Sequence, residues 1–214
     1  MNVKVVIFDV DGVLFDTDEV YFRYLKRALE RIGKHLDEKF YTLHGYDDCL
    51  YKLDLSEQQI QDVLSELHEK YYSDDIVRGI RLKEDVIPVL QCLAGSLKLA
   101  TGSGEHKVQI ERYLRHFGIT EYFSFIGHGD LARGRKSNPK YFHAIAHHFG
   151  VQPEECLHIG DSHYDQHGLA AGVNVAIIPT KYSAHITFDT RCHMLGGISE
   201  VPKLISNLSA KETG

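Results

Sequence analysis

Two aspartates follow an apolar run near the start of the chain, in the order Asp9, Val10, Asp11, Gly12. The preceding residues, Val-Lys-Val-Val-Ile-Phe, are mostly β-branched, as is typical of a strand buried on both faces of a parallel sheet. Residues two apart on a strand share a face, so one Mg²⁺ could be reached from both aspartates. Because Asp and Gly are also common in turns, this pattern alone leaves a turn and a site equally open.

Polar residues also follow the later predicted strands. Thr101 comes after the apolar run 97–100, Lys136 lies in the loop after the third strand, and Asp161 and Asp165 follow the fourth. The carboxyl ends of parallel strands meet at one edge of a sheet, where ligands bind, so we expect these side chains to converge. Their carboxylates would repel an anionic substrate unless a cation is present. A bound Mg²⁺ would offset the negative charge of the carboxylates and allow a phosphate to bind.

Each of these residues also has a purely structural interpretation. Thr101 could simply end a strand, and Asp165 could be an acid that caps a helix. Lys136 competes for its role with three other basic residues of the same region, Arg133, Arg135 and Lys140. The residues taken one by one therefore do not decide between structure and chemistry.

The elements that would carry these residues alternate between strand and helix. Apolar runs predict strands at 3–10, 97–100, 123–126, 156–159, 173–178 and 192–195, and helical patterns lie at 84–94, 105–117, 139–150 and 199–208. Residues 16–77 are helical throughout and interrupt this alternation. We therefore predict an α/β fold: a doubly wound, Rossmann-like parallel sheet (1–15 and 78–214) with an inserted α-helical cap domain (16–77).

The predicted cap contains one break with polar character. Short helices near 37–43 and 46–53 are separated by His44, Gly45 and Tyr46, and the next helix opens with a capping box of Ser56 and Gln59. A glycine-centred break between helices is most simply a turn. The alternative is a loop that contacts the substrate, and both interpretations stay open.

Composition excludes several classes of protein. The chain has 214 residues, 43% of them apolar, with a formal net charge of −6 and no block of lysine or arginine, so we expect no nucleic-acid partner. No apolar run approaches the ~20 residues of a membrane span, and no secretory leader is visible. We expect a cytoplasmic protein, a monomer or weak dimer. The four cysteines show no Cys-x-x-Cys spacing, which favours buried, reduced thiols.

Taken together, the motifs resemble those of the haloacid dehalogenase-like superfamily of phosphotransferases. The matching pieces are Asp9-Val-Asp11-Gly, Thr101 after a strand, Lys136 before Pro139, and Gly-Asp161-Ser-His-Tyr-Asp165. Their order spans essentially the whole chain. The helical insert is similar to the cap of the phosphoglycolate phosphatase and β-phosphoglucomutase branch.

The resemblance implies a role for each matching residue. Asp9 would be the nucleophile that forms an aspartyl-phosphate, and Asp11 the general acid and base. Thr101 and the backbone amides of Gly102 and Ser103 would hold phosphoryl oxygens. Lys136 would neutralise charge on the nucleophile and the transferring group, and Mg²⁺ would bind Asp9, Asp161 and the Asp11 carbonyl, with Asp165 supporting them. The function implied is a Mg²⁺-dependent phosphatase acting on a small phosphorylated metabolite.

Two departures bear on rival functions within the superfamily. β-Phosphoglucomutases carry a histidine on the first cap helix, where this chain has Tyr21, which favours hydrolysis over phosphomutase chemistry. The family usually shows Lys-Pro-x-Pro where this chain reads Lys136-Ser-Asn-Pro, which affects the rigidity of the loop and not the reach of the lysine. A catalytically silent phosphate-binding protein would be expected to have lost Asp9, Lys136 or Asp161.

Overall fold

The computed structural model describes residues 2–131 and 136–210 of the chain. Its strands are β1 (Val5–Phe8), β2 (Lys98–Gly102), β3 (Phe125–Gly127), β4 (Cys156–Gly160), β5 (Asn174–Ile177) and β6 (His193–Met194). They form one sheet in the order β3-β2-β1-β4-β5-β6, with every neighbouring pair parallel. The strand order reverses beside the central β1, which confirms the predicted doubly wound α/β sheet.

The central strand is buried along its whole length, as its apolar sequence predicts. It pairs with β2 on one side and β4 on the other, so that Phe8 lies opposite both Thr101 and Ile159. Asp9 continues the pairing and donates its amide N–H to the Ile159 carbonyl oxygen at 2.8 Å. The register therefore brings the residues that follow β1 and β4 to the same edge of the sheet.

In the described residues, five helices lie between β1 and β2, and three more accompany the later strands. They are α1 (Asp18–Arg31), α2 (Glu38–Lys52), α3 (Glu57–Tyr71), α4 (Asp74–Gly79), α5 (Val86–Ala94), α6 (Lys107–His116), α7 (Pro139–Phe149) and α8 (Val201–Ala210). The first three share an apolar cluster of their own, made of Leu25, Ala28, Leu29, Leu36, Tyr41, Cys49, Leu50, Val63 and Leu67. α1 is the common partner in this cluster and packs against both α2 and α3.

Local signals in the sequence set several helix ends as predicted. Ser56 and Gln59 form the capping box of α3. Gly45, with a φ of 69°, interrupts α2 and confirms the two short helical segments on either side of it. Asn138 caps α7 by accepting a hydrogen bond from the Lys140 amide, directly before proline at the first helical position.

The strands differ from their predicted bounds by one or two residues, and in β1 and β3 the cause is a turn close by. β1 stops at Phe8, since the carbonyl oxygen of Val10 accepts a hydrogen bond from the Leu14 amide in a turn. β3 begins two residues later than predicted because the Phe123 amide donates to Thr120 and closes a 3₁₀ turn. These shifts leave the order of elements unchanged.

The remaining expectations about burial concern the cysteines and the membrane. All four cysteines are free, and three are buried, but Cys92 is exposed because it lies on the solvent face of α5. Within the described ranges, no helix combines the length and the apolar character needed to cross a bilayer.

Candidate active site

The predicted site residues come from three places in the fold. Asp9 directly follows β1, Asp161 and Asp165 follow β4, and Lys136 precedes α7. Their side chains all lie within the protein, with exposed fractions of 4% for Asp9, 7% for Lys136, 7% for Asp161 and 0% for Asp165. The structure thus brings together four of the residues that the sequence predicted to converge.

Lys136 links two of the carboxylates. Its Nζ donates to Asp9 Oδ2 at 2.5 Å and to Asp165 Oδ1 at 2.7 Å. Burial acts to lower the pKa of Lys136, but the carboxylates of Asp165 and Asp9 outweigh it and hold that pKa above its ordinary value. Lys136 is therefore a fixed cation between Asp9 and Asp165. Lys140 is exposed on α7, and Arg133 and Arg135 lie outside the described residues.

Both carboxylate oxygens of Asp165 accept hydrogen bonds. Oδ1 accepts from Lys136 and from His158 Nε2, each at 2.7 Å. Oδ2 accepts from the amides of Asp161 at 3.2 Å and Ser162 at 2.9 Å, and from the Ser162 hydroxyl at 2.7 Å. Burial alone would raise the pKa of Asp165, but Lys136 and His158 hold it well below its usual range. With its oxygens occupied in this way, Asp165 is placed to orient its neighbours.

The carboxylates form a candidate cation site. Single oxygens of Asp9, Asp161 and Asp165 lie within 4.8 Å of one another. Burial raises the pKa of both Asp9 and Asp161 well above the ordinary value. The charges of nearby carboxylates raise it further, and Lys136 offsets only part of the rise. A buried set of oxygen donors with excess negative charge fits a hard divalent cation such as Mg²⁺. Asp165 accepts five hydrogen bonds, whereas Asp9 accepts two, from the Val10 amide and from Lys136, so Asp9 and Asp161 have more lone pairs left for an ion.

A glycine next to this cluster is required by space. Gly12 has a φ of 71°, and a Cβ placed there would overlap the Asp161 carboxylate. Only glycine combines this backbone conformation with so close an approach. The Asp-x-Asp-Gly pattern is thus both a turn and part of the site, the two interpretations that the sequence left open.

Asp11 differs from the other acids in its surroundings. Its Oδ1 is buried and has no hydrogen-bond partner in the described part of the chain. Burial, and next the nearby Glu105 carboxylate, raise the pKa of Asp11 to about 8. A carboxyl group that is neutral near pH 7 can donate a proton, as a general acid must.

Of the predicted phosphate-binding residues, Thr101 and Gly102 lie within β2, which runs further than predicted, and Ser103 follows it. Two of their hydrogens are already engaged. The Thr101 hydroxyl donates to the Gly127 carbonyl oxygen at 3.0 Å, and the Ser103 amide donates to the same oxygen at 3.3 Å. Gly102 is buried, and a Cβ there would overlap the side chain of Ile7. These residues lie at the correct edge of the sheet, but their contact with phosphate stays a prediction.

The break in α2 at Gly45 is connected to the site by contacts between aromatic side chains. The Tyr46 ring packs against Tyr21 with centroids 5.2 Å apart, and the Tyr21 hydroxyl donates to Glu105 at 3.2 Å. His44 instead packs on Phe40 of its own helix, at 4.4 Å, and Gly45 is exposed. Of the three predicted recognition residues, Tyr46 has the most direct connection to the site.

Two residues that contact the site residues or their neighbours were not predicted from the sequence, His158 and Glu105. His158 lies in the middle of β4, fully buried between Leu157 and Ile159. A histidine in an otherwise apolar buried strand is a signal that could have been used. Glu105, which accepts hydrogen bonds from Tyr21 and Tyr71, gives no comparable signal, because its role depends on contacts distant in sequence.

Comparisons with known proteins agree with the motifs. The family model described as haloacid dehalogenase-like hydrolase matches residues 6–178. The chain is 27% identical to the phosphoglycolate phosphatase of Nitrosospira multiformis, covering 98% of each protein. It is 26% identical to the fructose-1-phosphate phosphatase YqaB of Escherichia coli, covering 78% of this chain and 92% of that one.

The fold is also shared with solved structures. A crystal structure of a HAD-superfamily hydrolase, subfamily IA, variant 1, from Geobacter sulfurreducens PCA superposes with a TM-score of 0.76 at 24% identity, covering 95% of this chain and 96% of that one. The match to the family model extends from β1 past the end of β5, and so includes every strand that carries a predicted site residue. The chain belongs to the haloacid dehalogenase-like hydrolase family.

Proposed function

We propose that the protein is a Mg²⁺-dependent phosphatase that hydrolyses a small phosphorylated metabolite through an aspartyl-phosphate on Asp9. The observation that carries the proposal is the buried contact of 2.5 Å between Lys136 Nζ and Asp9 Oδ2, with the Asp161 carboxylate beside it. An ammonium held against a carboxylate keeps that group oriented and lowers the repulsion that an approaching phosphate would meet. The two relatives named as phosphatases of phosphoglycolate and fructose 1-phosphate support a small phosphorylated substrate.

The proposed reaction has two displacements at phosphorus. The Asp9 carboxylate attacks, the bond to the leaving oxygen breaks, and neutral Asp11 gives its proton to that oxygen. Asp11, now ionised, takes a proton from the water that attacks the aspartyl-phosphate and releases inorganic phosphate. Because phosphoryl transfer passes through a loose transition state, most of the catalysis comes from positioning and from stabilising charge. Lys136 supplies the fixed positive charge for both steps.

The metal would be held by this chain's own oxygen atoms. Asp9 and Asp161 would bind Mg²⁺ through their carboxylates, together with the Asp11 carbonyl, and Asp165 would orient Asp161 through the hydrogen bond from its amide. When bound, the ion would offset the negative charge of the carboxylates and of the phosphoryl oxygens.

Residues 16–77 would act as a cap domain over a core formed by 1–15 and 78–214. The separate apolar cluster of α1–α3 supports this division, because a segment with its own core can move as a unit. Closure would exclude water from the aspartyl-phosphate. Thr101, Gly102 and Ser103 would bind the phosphoryl group from the core side, and His44, Gly45 and Tyr46 would contact the leaving group from the cap side.

A phosphomutase is the rival function, and the surroundings of Tyr21 argue against it. The Tyr21 hydroxyl contacts Glu105 and lies 3.0 Å from the Tyr113 hydroxyl. Burial and the Glu105 charge raise the pKa of Tyr21 well above its ordinary value. A phenol held neutral in this way is a poor acid–base group near pH 7, and hydrolysis is the better assignment.

The test is an assay of phosphorylated metabolites and p-nitrophenyl phosphate with Mg²⁺ or with EDTA. We expect phosphate release only with Mg²⁺, and loss of turnover to background in Asp9→Asn. Acid quenching during turnover followed by peptide mapping should locate a labile phosphate on Asp9. Label on another residue, full activity in EDTA, or normal turnover by Asp9→Asn would each overturn the proposal.

A further inference from the structure

The side chain of His158 lies beneath the site, between the sheet and Asp165. It is fully buried, and its ring packs against Phe142 with centroids 4.9 Å apart. Nδ1 lies 3.1 Å from the carbonyl oxygen of Ile7, and Nε2 lies 2.7 Å from Asp165 Oδ1. An apolar side chain would fill this position in a buried strand equally well, so the polar contacts call for an explanation.

The direction of the contact with Asp165 follows from chemistry. In the described residues, the other hydrogen-bond partners of Asp165 are donors: the Lys136 ammonium on Oδ1, and two backbone amides and the Ser162 hydroxyl on Oδ2. Asp165 is therefore an acceptor on both oxygens. His158 Nε2 therefore carries a hydrogen and donates it to Oδ1. The same oxygen accepts from Lys136 at 2.7 Å, so two donors share one carboxylate oxygen.

We infer that His158 is a positioning residue: its hydrogen bond to Asp165 Oδ1 sets how Lys136 is divided between Asp165 and Asp9. Lys136 contacts both carboxylates. Without the His158 donor, Asp165 Oδ1 would carry more unscreened charge and draw the ammonium away from the nucleophile. The inference rests on the proposed role of Asp9, and it assigns His158 no contact with the substrate.

The decisive comparison is between His158→Gln and His158→Met. Both are unbranched side chains of similar length, but only glutamine has an N–H at the position of Nε2. With p-nitrophenyl phosphate and Mg²⁺, we expect kcat of His158→Met to fall by about 10–100-fold, the range typical for partners that orient ligating carboxylates. KM should stay within about threefold, because phosphate binding is unchanged, and His158→Gln should recover most of the lost kcat.

A matched control separates positioning from stability. Val175 lies directly opposite His158 on β5, is fully buried and is apolar, so Val175→Ala should lower the melting temperature while leaving kcat near that of the wild type. If His158→Met does not fold, His158→Asn replaces it, since its amide is too short to reach Asp165. Equal kcat in the variants with and without a reaching donor would overturn the inference.

The same series distinguishes this inference from the proposed function. Asp9→Asn is assayed beside the His158 variants. If Asp9→Asn is inactive but His158→Met turns over normally, the phosphatase mechanism stands and the role of His158 is wrong. If Asp9→Asn is active, the proposed function itself fails. Crystal structures should show a longer distance from Lys136 Nζ to Asp9 Oδ2 in His158→Met than in His158→Gln.

Discussion

The acids of the site are distinguished by what surrounds them. Asp165 accepts hydrogen bonds on both oxygens and stays ionised, whereas burial raises the pKa of Asp9, Asp11 and Asp161. In the metal-free protein the raised values reflect carboxylates without enough positive charge beside them. Asp11 differs again, because the charge with the largest effect on its pKa is the acidic Glu105 and not Lys136. Under the proposed mechanism, these surroundings would give identical side chains different tasks, one for orientation, one for proton transfer and two for binding and attack.

Replacing Asp11 by asparagine should separate proton transfer from nucleophilic attack. Asp11→Asn leaves Asp9 and Lys136 in place but cannot donate or accept the proton, so we expect turnover to fall by about 10²–10⁴-fold. Residual activity should be greatest with p-nitrophenyl phosphate, whose leaving group needs least protonation. The measurement is kcat/KM across esters that differ in leaving-group pKa. An Asp11→Asn enzyme with the same loss on every ester would contradict the acid role.

Glu105 should control the pH at which this acid acts. Its carboxylate helps to raise the pKa of Asp11 to about 8, so activity should decline as pH rises through that region and Asp11 ionises. In Glu105→Gln the pKa of Asp11 should drop, and the alkaline decline should move to lower pH by on the order of one unit. Glu111→Gln, six residues further along and within α6, is the control, since Glu111 pairs with Lys107 at the surface. An unmoved alkaline limb in Glu105→Gln would separate Glu105 from Asp11.

At the scale of elements, the sequence was informative wherever the signal was local. The apolar run before Asp9 predicted a buried strand, and Ser56–Gln59 and Asn138–Pro139 predicted two helix starts, because capping and propensity act over a few residues. The parallel register then accounts for the convergence of strand ends.

What the sequence could not predict depends on contacts between distant residues. The choice of Lys136 over Lys140 is made by packing, which buries the first and exposes the second. The link from His158 to Asp165 joins a mid-strand position to the segment that follows, and the link from Glu105 to Tyr71 joins the loop after β2 to the end of α3. The engagement of Thr101 by Gly127 likewise follows from the pairing of β2 with β3.

The break in α2 should influence which ester is preferred. Tyr46 connects through Tyr21 to the Glu105 carboxylate, whereas His44 packs on its own helix. We expect Tyr46→Ala to reorder kcat/KM across a panel of phosphorylated metabolites while changing p-nitrophenyl phosphate hydrolysis by less than about threefold. His44→Ala is the matched comparison and should have the smaller effect. An unchanged ranking in Tyr46→Ala would remove this residue from substrate recognition.

For the whole molecule, the buried acids couple folding to pH and to the metal. In the unfolded chain their pKa values return to 3.8, so above that value the folded protein retains protons that the unfolded chain has released. Stability therefore falls as pH rises toward the folded-state values. The lowered pKa values of His128, His158 and His163 act in the opposite direction, but only below their ordinary 6.5.

Between pH 6.5 and 8 the raised pKa values of Asp9, Asp11 and Asp161 determine how the unfolding free energy changes with pH. The metal-free protein should therefore lose stability as pH rises. A difference of one bound proton changes the unfolding free energy by about 1.4 kcal/mol per pH unit, which is about 3–6 °C in Tm for a chain of this size. Under the proposed function Mg²⁺ would bind the ionised carboxylates, so its stabilising effect should grow over the same interval. Calorimetry in EDTA and in MgCl₂ measures both trends.

Asp161→Asn removes one buried acid and one proposed metal ligand. The variant should lose less stability as pH rises, and Mg²⁺ should no longer stabilise it. A Mg²⁺ effect that persists in Asp161→Asn would place the ion elsewhere.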